Sequence, residues 1–340
     1  MRKKKITIND IADRAGVSTA TVSRILNKKD VVKPETERHV WEVISELEEE
    51  YGSDTAFSRK RNSPDHSTIL LIAELDSPVL NNFAAGIQKV TLNRGYHIII
   101  LDYTKHRVDL LSEINCLAKN IPFSGIIMLN NYESTEDIDS LTNRFPVVTA
   151  YTASESTKYS SITTDDRAAG RTIANHLLSL GCKDIVFLAL NDSFVFSRLR
   201  VQGVCEALKS SGIELPKDNL IYLPSLDFGV ASSLISQRLS SGPKPDAIIG
   251  VNDALAAVCI REARHAGYNV PDDILIAGFD NAEISTLVVP NLTTIDQSSY
   301  NIGVQTANML LQAIENPNHQ IQHILLRGEL LVRESSTKSN

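Results

Sequence analysis

The chain has 340 residues, of which 42% are hydrophobic and 22% are charged, and its formal net charge is −7. This length predicts about two or three compact units, and no apolar run reaches the roughly 18 residues that a membrane-spanning helix needs. The basic start of the chain lacks the apolar stretch of a secretory signal, so we expect a cytoplasmic location. The four cysteines and eight histidines are scattered, which favours reduced thiols and predicts no metal site and no cofactor.

The charge is unevenly divided along the chain. Residues 1–33 hold nine Lys or Arg against three Asp or Glu, whereas residues 63–340 hold 21 against 30. Exposed charges are screened from each other beyond about 8–10 Å, so attraction to phosphate is a property of a local surface. The sequence therefore predicts a basic N-terminal unit followed by an acidic body.

Two short helices are predicted at the start of the chain. Apolar residues recur at helical spacing over residues 8–15, Thr7 can cap this helix, and Gly16 can supply the positive φ that ends it. Ser18 can cap a second helix over residues 19–27, whose apolar side chains would face inward.

A third helix is predicted from Pro34, and the three helices together form a helix-turn-helix unit. The second helix of such a unit enters the major groove of DNA with its N-terminal residues toward the base edges. Short side chains at Thr19 and Ala20 permit close approach, and Arg24 can pair with guanine or hold a phosphate. A generic three-helix packing unit with a solvated basic face is the alternative. The predicted DNA-binding residues of this unit are Lys4, Lys5, Thr7, Ser18, Thr19, Ala20, Thr21, Ser23, Arg24 and Asn27.

The run GVSTATVSRILN at residues 16–27, preceded by IxDIA at residues 8–12, resembles the N-terminal signature of the lactose-repressor (LacI/GalR) family of bacterial regulators. The run VKPET at residues 32–36 also resembles the family's entry to the third helix. This resemblance implies a helix-turn-helix head that binds operator DNA and a body related to periplasmic sugar-binding proteins.

The segment after the third helix departs from the family pattern. Members of the family have a Gly-Tyr-x-Pro-Asn run before a leucine that enters the minor groove, whereas this chain lacks the Pro-Asn pair and has Lys60 near the leucine position. Phe57 is one candidate for the apolar wedge. Arg59, Lys60 and Arg61 could instead enter a narrow groove or hold its phosphates. The third interpretation is a flexible charged linker. Among the predicted DNA-binding residues we include Phe57, Arg59 and Lys60.

The rest of the chain alternates short apolar runs with amphipathic stretches, which predicts parallel sheets covered on both faces by helices. The predicted strands are Ile69–Leu75, His97–Asp102, Gly125–Leu129, Val147–Ala150, Ile185–Leu190, Leu220–Leu223, Ala247–Val251 and Ile274–Phe279. The predicted helices include Ala168–Leu180, Arg198–Ser211, Ala254–Ala266 and Tyr300–Ile314.

The predicted fold is therefore an all-α helix-turn-helix head followed by an α/β domain that resembles periplasmic binding proteins, with two doubly wound parallel-sheet subdomains. We expect the head and its hinge, at about 50–62, to occupy residues 1–62 and the effector-binding domain to occupy residues 63–340. Within that domain, the first subdomain is expected at about 66–164 and 296–323, and the second at about 165–295 and 324–335.

Ligands in open α/β sheets bind beyond the carboxyl ends of the strands, so residues just after the strands are the candidates. Arg200 matches the family arginine that holds ligand hydroxyls, and Asn252 and Asp280 match polar residues at strand ends. A guanidinium, an amide and a carboxylate at one cleft suit a polyhydroxyl compound. A surface salt bridge for Arg200 and a turn cap for Asp280 are the alternatives. The predicted effector-binding residues are Asp76, Val79, Leu80, Asp102, Leu129, Tyr151, Phe196, Arg200, Phe228, Asn252, Asp280 and Gln297.

Tyr151 stands where many members of the family have a ligand-binding Asp, and Phe196 is bulkier than the usual residue, so the resemblance does not identify the ligand. We expect a homodimeric repressor of a carbohydrate-utilisation operon. Its partners would be double-stranded operator DNA and a sugar or sugar phosphate, which changes its affinity for that DNA. A nucleobase, a protein coeffector or, less favoured, a solute-binding role are the alternatives. Because the chain lacks GxSxG, GxxxxGK[ST] and HExxH motifs, we do not expect an enzyme.

Overall fold

The computed structural model describes residues 6–26, 32–51, 68–75, 77–102, 110–129, 135–316 and 318–337. The chain divides into two units, Met1–Thr68 and Ile69–Asn340. Among these described residues, no helix is both long and apolar enough to cross a membrane.

The first unit contains helices α1 (Ile8–Ala15), α2 (Thr19–Leu26) and α3 (Pro34–Tyr51). At the start of α1, the Thr7 hydroxyl accepts a hydrogen bond from the Asp10 N–H at 3.3 Å, and the Asp10 carboxylate accepts one from the Thr7 N–H at 2.8 Å. Gly16 ends the helix with a φ of 65°, a backbone conformation in which a side chain would be strained. Apolar side chains of the three helices form one core: Ile6, Ile11, Ala12, Ala15, Val22, Ile25, Leu26, Val40, Val43, Ile44 and Leu47.

The second unit is built from strands and helices that alternate along most of the chain. The strands are β1 (Thr68–Ala73), β2 (His97–Asp102), β3 (Gly125–Leu129), β4 (Val147–Ala150), β5 (Ser160–Thr164), β6 (Ile185–Leu190), β7 (Leu220–Leu223), β8 (Ala247–Gly250), β9 (Leu275–Phe279), β10 (Thr293–Asp296), β11 (His323–Leu326) and β12 (Glu329–Leu331). The helices are α4 (Leu80–Asn93), α5 (Leu110–Asn120), α6 (Thr135–Leu141), α7 (Asp166–Ser179), α8 (Val195–Ser210), α9 (Phe228–Ser241), α10 (Asp253–His265), α11 (Ile284–Leu287) and α12 (Ser299–Glu315).

These strands form two six-stranded sheets, with the orders β11-β5-β4-β3-β1-β2 and β12-β10-β9-β8-β6-β7. Pairing is parallel from β11 through β5, β4 and β3 to β1, and from β10 through β9, β8 and β6 to β7. Strand β12 pairs with β10 in the antiparallel direction. The three-helix head and the two largely parallel sheets confirm the predicted fold class.

The chain passes between the two sheets three times: after β5, after β10 and after β11. Strand β11 pairs with β5 in the first sheet, so the last passage falls at residues 327–328, a few residues beyond the expected boundary at 323. Strands β5, β10, β11 and β12 had no strand prediction. Strand β5 reads SSITT, and the exposure of the edge strand β11 alternates, so neither forms the continuous apolar run by which buried strands are recognised.

Two pairs of helices approach each other through glycines. A Cβ atom at Gly170 of α7 would overlap the carbonyl oxygen of Arg200 in α8, and one at Gly203 of α8 would overlap that of Arg167 in α7. In the first half of the unit, a Cβ atom at Gly86 of α4 would likewise overlap a backbone carbonyl oxygen of α12, and one at Gly303 of α12 would overlap a backbone carbonyl oxygen of α4. Only residues without a side chain permit backbones to pack this closely.

Candidate functional sites

Helix α2 presents a polar surface at its N-terminal end. The Ser18 hydroxyl accepts a hydrogen bond from the Thr21 N–H at 3.0 Å and so caps the helix. Thr19, Ala20 and Arg24 are exposed, while Thr21 and Ser23 are half-buried. The opposite face of the helix is buried in the core of the head, through Val22, Ile25 and Leu26. This surface offers methyl groups, hydroxyls and a guanidinium to a partner.

Several predicted site residues lie outside the described residues: Lys4, Lys5, Asn27, Phe57, Arg59, Lys60 and Asp76. Thr7 is exposed, but both its backbone and its side chain are used in the capping box with Asp10, where the Thr7 hydroxyl donates to the carboxylate at 2.6 Å. Its described contacts are therefore those of a helix cap.

In the second unit, Arg200 lies at the centre of a buried charge cluster. Its Nε donates to Asp166 Oδ1 at 2.8 Å, and one terminal nitrogen donates to Asp280 Oδ1 at 3.0 Å. The other terminal nitrogen donates to the Val251 carbonyl oxygen at 2.5 Å. Arg200 is 3% exposed, so the alternative of a surface salt bridge is wrong. We refer to Asp166, Arg200 and Asp280 as the Arg200 cluster.

Aromatic rings hold the guanidinium of Arg200 in place. Its central carbon lies 5.0 Å from the ring centroid of Phe196 and 4.6 Å from that of Phe279. Such cation–π contacts gain strength when the cation is desolvated. Phe196 was predicted to line the effector site, and its described contact is with the guanidinium of Arg200, which was predicted for the same site.

The electrostatics of the cluster follow from two carboxylates around one cation. Burial lowers the pKa of Arg200, but Asp280 and Asp166 raise it on balance. Burial raises the pKa of Asp280, and Arg200 opposes that rise. Asp280 also has a φ of 99°, a conformation rare for a residue with a side chain, which occurs where surrounding contacts enforce it.

Asp166 was not among the predicted site residues. Its Oδ1 accepts from Gln297 Nε2 at 3.2 Å as well as from Arg200, and its Oδ2 accepts from Thr164 at 3.4 Å. Thr164 and Gln297 lie at two of the three passages between the sheets, so Asp166 joins both passages to Arg200. Asp166 lies two residues after strand β5. Because that strand was not predicted, the strand-end rule that singled out Asp280 could not be applied to Asp166.

Asn252 and Asp253 follow strand β8. The Asn252 side-chain oxygen accepts from the Leu255 N–H at 2.8 Å and caps α10, while its amide nitrogen has no partner among the described residues. Asp253 accepts from the Thr294 hydroxyl at 2.6 Å and from the Ala282 N–H at 2.8 Å. Burial, with a smaller contribution from Asp280, raises the pKa of Asp253 to about 8.

Tyr151 directly follows strand β4 and has a φ of 60°, and its ring contacts that of Phe83 edge-on, with the centroids 6.0 Å apart. Its hydroxyl is buried and has no hydrogen-bond partner among the described residues. Burial raises the pKa of this hydroxyl. The side chain of Ser299 and the charge of Arg200 lower it by smaller amounts, while Asp280 and Asp166 raise it further. The Tyr151 hydroxyl, which extends from the first sheet, is therefore within electrostatic range of the Arg200 cluster.

The other predicted effector residues differ in their surroundings. Val79, Leu80 and Leu129 are buried in the apolar core of the first half. Asp102 is half-buried and accepts a hydrogen bond from the Leu75 N–H at 3.4 Å. Phe228 is 48% exposed at the start of α9, and no described contact joins it to the Arg200 cluster.

Comparison with known proteins matches both units to sequence families. Residues 7–48 match "Bacterial regulatory proteins, lacI family", and residues 174–336 match "Periplasmic binding protein-like domain". Catabolite control protein A of Staphylococcus xylosus is 30% identical over 328 residues, which are 94% of this chain and 97% of that protein.

Solved structures share the fold. A LacI family transcriptional regulator from Enterococcus faecium with bound ribose is 25% identical, with a TM-score of 0.70 over 80% of this chain and 100% of the other. The lac repressor dimer bound to operator and the anti-inducer ONPF is 23% identical, with a TM-score of 0.70 over 98% of this chain and 100% of the other.

Proposed function

The chain belongs to the LacI family of bacterial transcriptional regulators, and we propose that it represses a carbohydrate-utilisation operon through an operator affinity that a small sugar-like effector sets. The head would bind operator DNA and the second unit would bind the effector between its two sheets. The relatives compared are regulators, and we infer that this chain binds its effector without transforming it.

The observation that carries the effector proposal is the buried Arg200 cluster, whose three charged groups all act on the pKa of the buried Tyr151 hydroxyl. In the proposed site, the cluster would offer a guanidinium and a carboxylate from the second sheet, and Tyr151 would add a buried hydroxyl from the first. A buried polar group without a partner costs about 1–3 kcal/mol, which a bound hydroxyl compound can relieve. The relative with bound ribose is consistent with a sugar as the effector.

The DNA-binding proposal is supported by the exposed surface of α2. Thr19 and Ala20 lie at the helix N-terminus, where helix-turn-helix proteins contact bases, and their methyl groups suit thymine. Arg24 lies more than one helical turn further along the exposed side, where it can reach guanine or a phosphate.

Exposed apolar residues support a homodimer. Leu287 is 72% exposed and Val289 is 68% exposed, next to a groove of about 340 Å³ between α10 and the segment that follows α11. In the first half, Ile99 and Ile100 are exposed on β2, which is an edge strand. Exposed apolar groups and an open strand edge favour association, and we assign both surfaces to a second copy of this chain.

The test begins with an operator selected from random DNA by the purified full-length chain. Its affinity is then measured with a panel of sugars and nucleobases. The proposal expects a selected sequence and at least one sugar that changes the affinity. A chain that selects no sequence would contradict DNA recognition, and a response to nucleobases alone would contradict the carbohydrate assignment.

Replacement of Arg24 by Ala tests the head directly. If Arg24 pairs with guanine, the variant should lose about 1–3 kcal/mol of discrimination at one base pair; if it holds a phosphate, binding should weaken evenly and the salt slope should fall by about 1. The matched control is Arg38→Ala, which removes the same charge from an exposed position of α3. Equal effects of the two variants on the selected operator would contradict the role of α2.

A further inference from the structure

One loop joins the Arg200 cluster to the apolar surface that we assign to the homodimer. It comprises residues 281–292, between β9 and β10, and we refer to it as the 281–292 loop. Asp280, a member of the cluster, directly precedes this loop, and the exposed side chains of Leu287 and Val289 belong to it. The Asp280 N–H donates to the Ile295 carbonyl oxygen at 2.9 Å, so the loop begins and ends on neighbouring strands.

The guanidinium of Arg333, near the end of the chain, contacts both arms of the 281–292 loop. One terminal nitrogen donates to the Ser285 hydroxyl at 2.9 Å and to the Leu292 carbonyl oxygen at 3.0 Å. The other terminal nitrogen donates to the Asn281 side-chain oxygen at 2.7 Å. Asn281 begins the loop, Ser285 belongs to α11, and Leu292 ends the loop. One planar fork of donors therefore bonds three parts of the loop at once.

The backbone of Arg333 is held by β9 and β10. Its N–H donates to the Thr293 hydroxyl at 2.9 Å, and that hydroxyl donates to the Arg333 carbonyl oxygen at 3.1 Å. Two residues further on, the Ser335 hydroxyl donates to the Ile276 carbonyl oxygen at 2.5 Å and accepts from the Thr293 N–H at 2.8 Å. The second sheet thus anchors the side chain that bonds the loop.

Other side chains hold single parts of the loop. Asp253 accepts from the Ala282 N–H at 2.8 Å, and Arg264 donates to the Val289 carbonyl oxygen at 3.0 Å. Each of these contacts can persist while another part of the loop moves. Arg333 differs, because the turn that follows the Arg200 cluster and the helix α11 share one guanidinium.

We propose that Arg333 is a positioning residue that couples the Arg200 cluster to the homodimer surface. A displacement of Asp280 moves Asn281 and breaks its bond to the guanidinium. The freed guanidinium no longer keeps its place against Ser285, and α11, which carries Leu287, loses its support. This inference rests on the proposed homodimer and does not depend on the identity of an effector.

Arg333→Ala tests the positioning role in the full-length chain. Sedimentation equilibrium gives the dissociation constant of the homodimer, which should rise at least about 10-fold because α11 loses a charge-assisted hydrogen bond. Arg238→Ala is the matched control, since Arg238 is also half-buried and donates to Asn219 and to the Pro243 carbonyl oxygen, away from the loop. It should leave the constant unchanged. No rise in Arg333→Ala, or an equal rise in Arg238→Ala, overturns the proposal.

Ser285→Ala tests the same contact from the side of the loop, and it disturbs the fold less than the loss of an arginine. Ser285 is 0% exposed, and the variant removes one acceptor of the guanidinium. The dissociation constant should rise at least about 3-fold. Circular dichroism and Tm establish that each variant is folded, and an unchanged constant in a folded Ser285→Ala contradicts the role of Arg333.

A double-mutant cycle tests the coupling. Asp280→Asn disturbs the Arg200 cluster and should change the dissociation constant at least about 5-fold in the parent, but less than about 2-fold in Arg333→Ala. Equal changes in the two backgrounds would show that the cluster and the surface are not coupled through Arg333.

The parent chain separates this inference from the proposed function. A parent that is monomeric at the concentrations used for DNA binding contradicts the homodimer and the inference with it. A dimeric parent whose dissociation constant responds neither to Arg333→Ala nor to Ser285→Ala upholds the homodimer and overturns the inference. Operator selection by the same chain tests DNA recognition independently of both.

Discussion

Arg200 and the two carboxylates that hold it are 8% exposed or less. A buried ion pair adds little net stability, because desolvation offsets the attraction, but removal of one partner typically costs about 3–5 kcal/mol. The cluster therefore acts mainly by fixing geometry: it holds the ends of strands β8 and β9 and the start of α7 around one guanidinium.

Asp253 predicts a pH dependence of stability. Its pKa is raised from 3.8 to about 8 in the folded protein, so the folded state keeps a proton over a range where the unfolded state releases it. Its stabilising contribution is therefore complete below about pH 4 and is lost as the pH rises to about 8. In Asp253→Asn this loss should disappear, since an amide can accept from Ala282 and donate to Thr294.

Urea unfolding of the parent and of Asp253→Asn at several values between about pH 5 and pH 8 measures this contribution as the difference between the two curves. Asp272→Asn is the control, because Asp272 is exposed. Stability curves that run parallel for the parent and Asp253→Asn would show that the carboxyl group is already ionised in the folded state across this range.

Among the helices, the close contacts between α7 and α8 are sensitive to the addition of a single methyl group. In Gly170→Ala the added methyl group would overlap the Arg200 carbonyl oxygen, so the helices must separate. Overpacking of this kind costs about 1–3 kcal/mol, and we expect the free energy of unfolding to fall by that amount. Because Arg200 moves with its own backbone, effector affinity should fall as well.

Chemical unfolding and effector titration of Gly170→Ala measure both effects. Asn175→Ala, at an exposed position of the same helix, is the control and should leave both quantities unchanged. A variant as stable as the parent would mean that the two helices can shift apart without loss.

Strands were predictable from the sequence where they coincide with a continuous run of apolar residues. Strands His97–Asp102, Gly125–Leu129, Val147–Ala150 and Ile185–Leu190 have the bounds predicted from their apolar runs. Strands β5 and β10 to β12 were not predicted, because their backbone pairing is set by the fold and their side chains are partly polar or lie at an edge.

The candidate site was predictable only in part. The carboxyl ends of strands pointed to Asn252 and Asp280, and the family resemblance pointed to Arg200. Sequence could not show that Asp166 shares Arg200, because that contact joins residues 34 positions apart in the chain. The cap formed by Asn252 is a local contact with the Leu255 N–H, three residues on, and our sequence analysis did not identify it.

At the scale of the whole molecule, the proposed homodimer depends on the apolar surface around α11. Leu287→Asp should place an uncompensated charge in that interface and shift the chain to monomers. Operator affinity should fall at least about 10-fold, because a monomer contacts one half-site. Sedimentation velocity and operator titration measure the two effects.

Leu325→Asp is the matched control, since Leu325 is 61% exposed on β11, away from the proposed interface. It should stay dimeric. If Leu287→Asp is also dimeric at the concentrations used for DNA binding, the second copy must bind elsewhere.

The three passages between the sheets have a consequence for biosynthesis. Helix α4 packs on α12, and β5 pairs with β11, although more than 150 residues separate the members of each pair. A nascent chain that has been synthesised only as far as β5 still lacks β11, which completes its first sheet. The second sheet is not complete until β12 has been synthesised. Because contacts between distant segments form slowly, both halves of this unit must finish folding together, after nearly the whole polypeptide has left the ribosome.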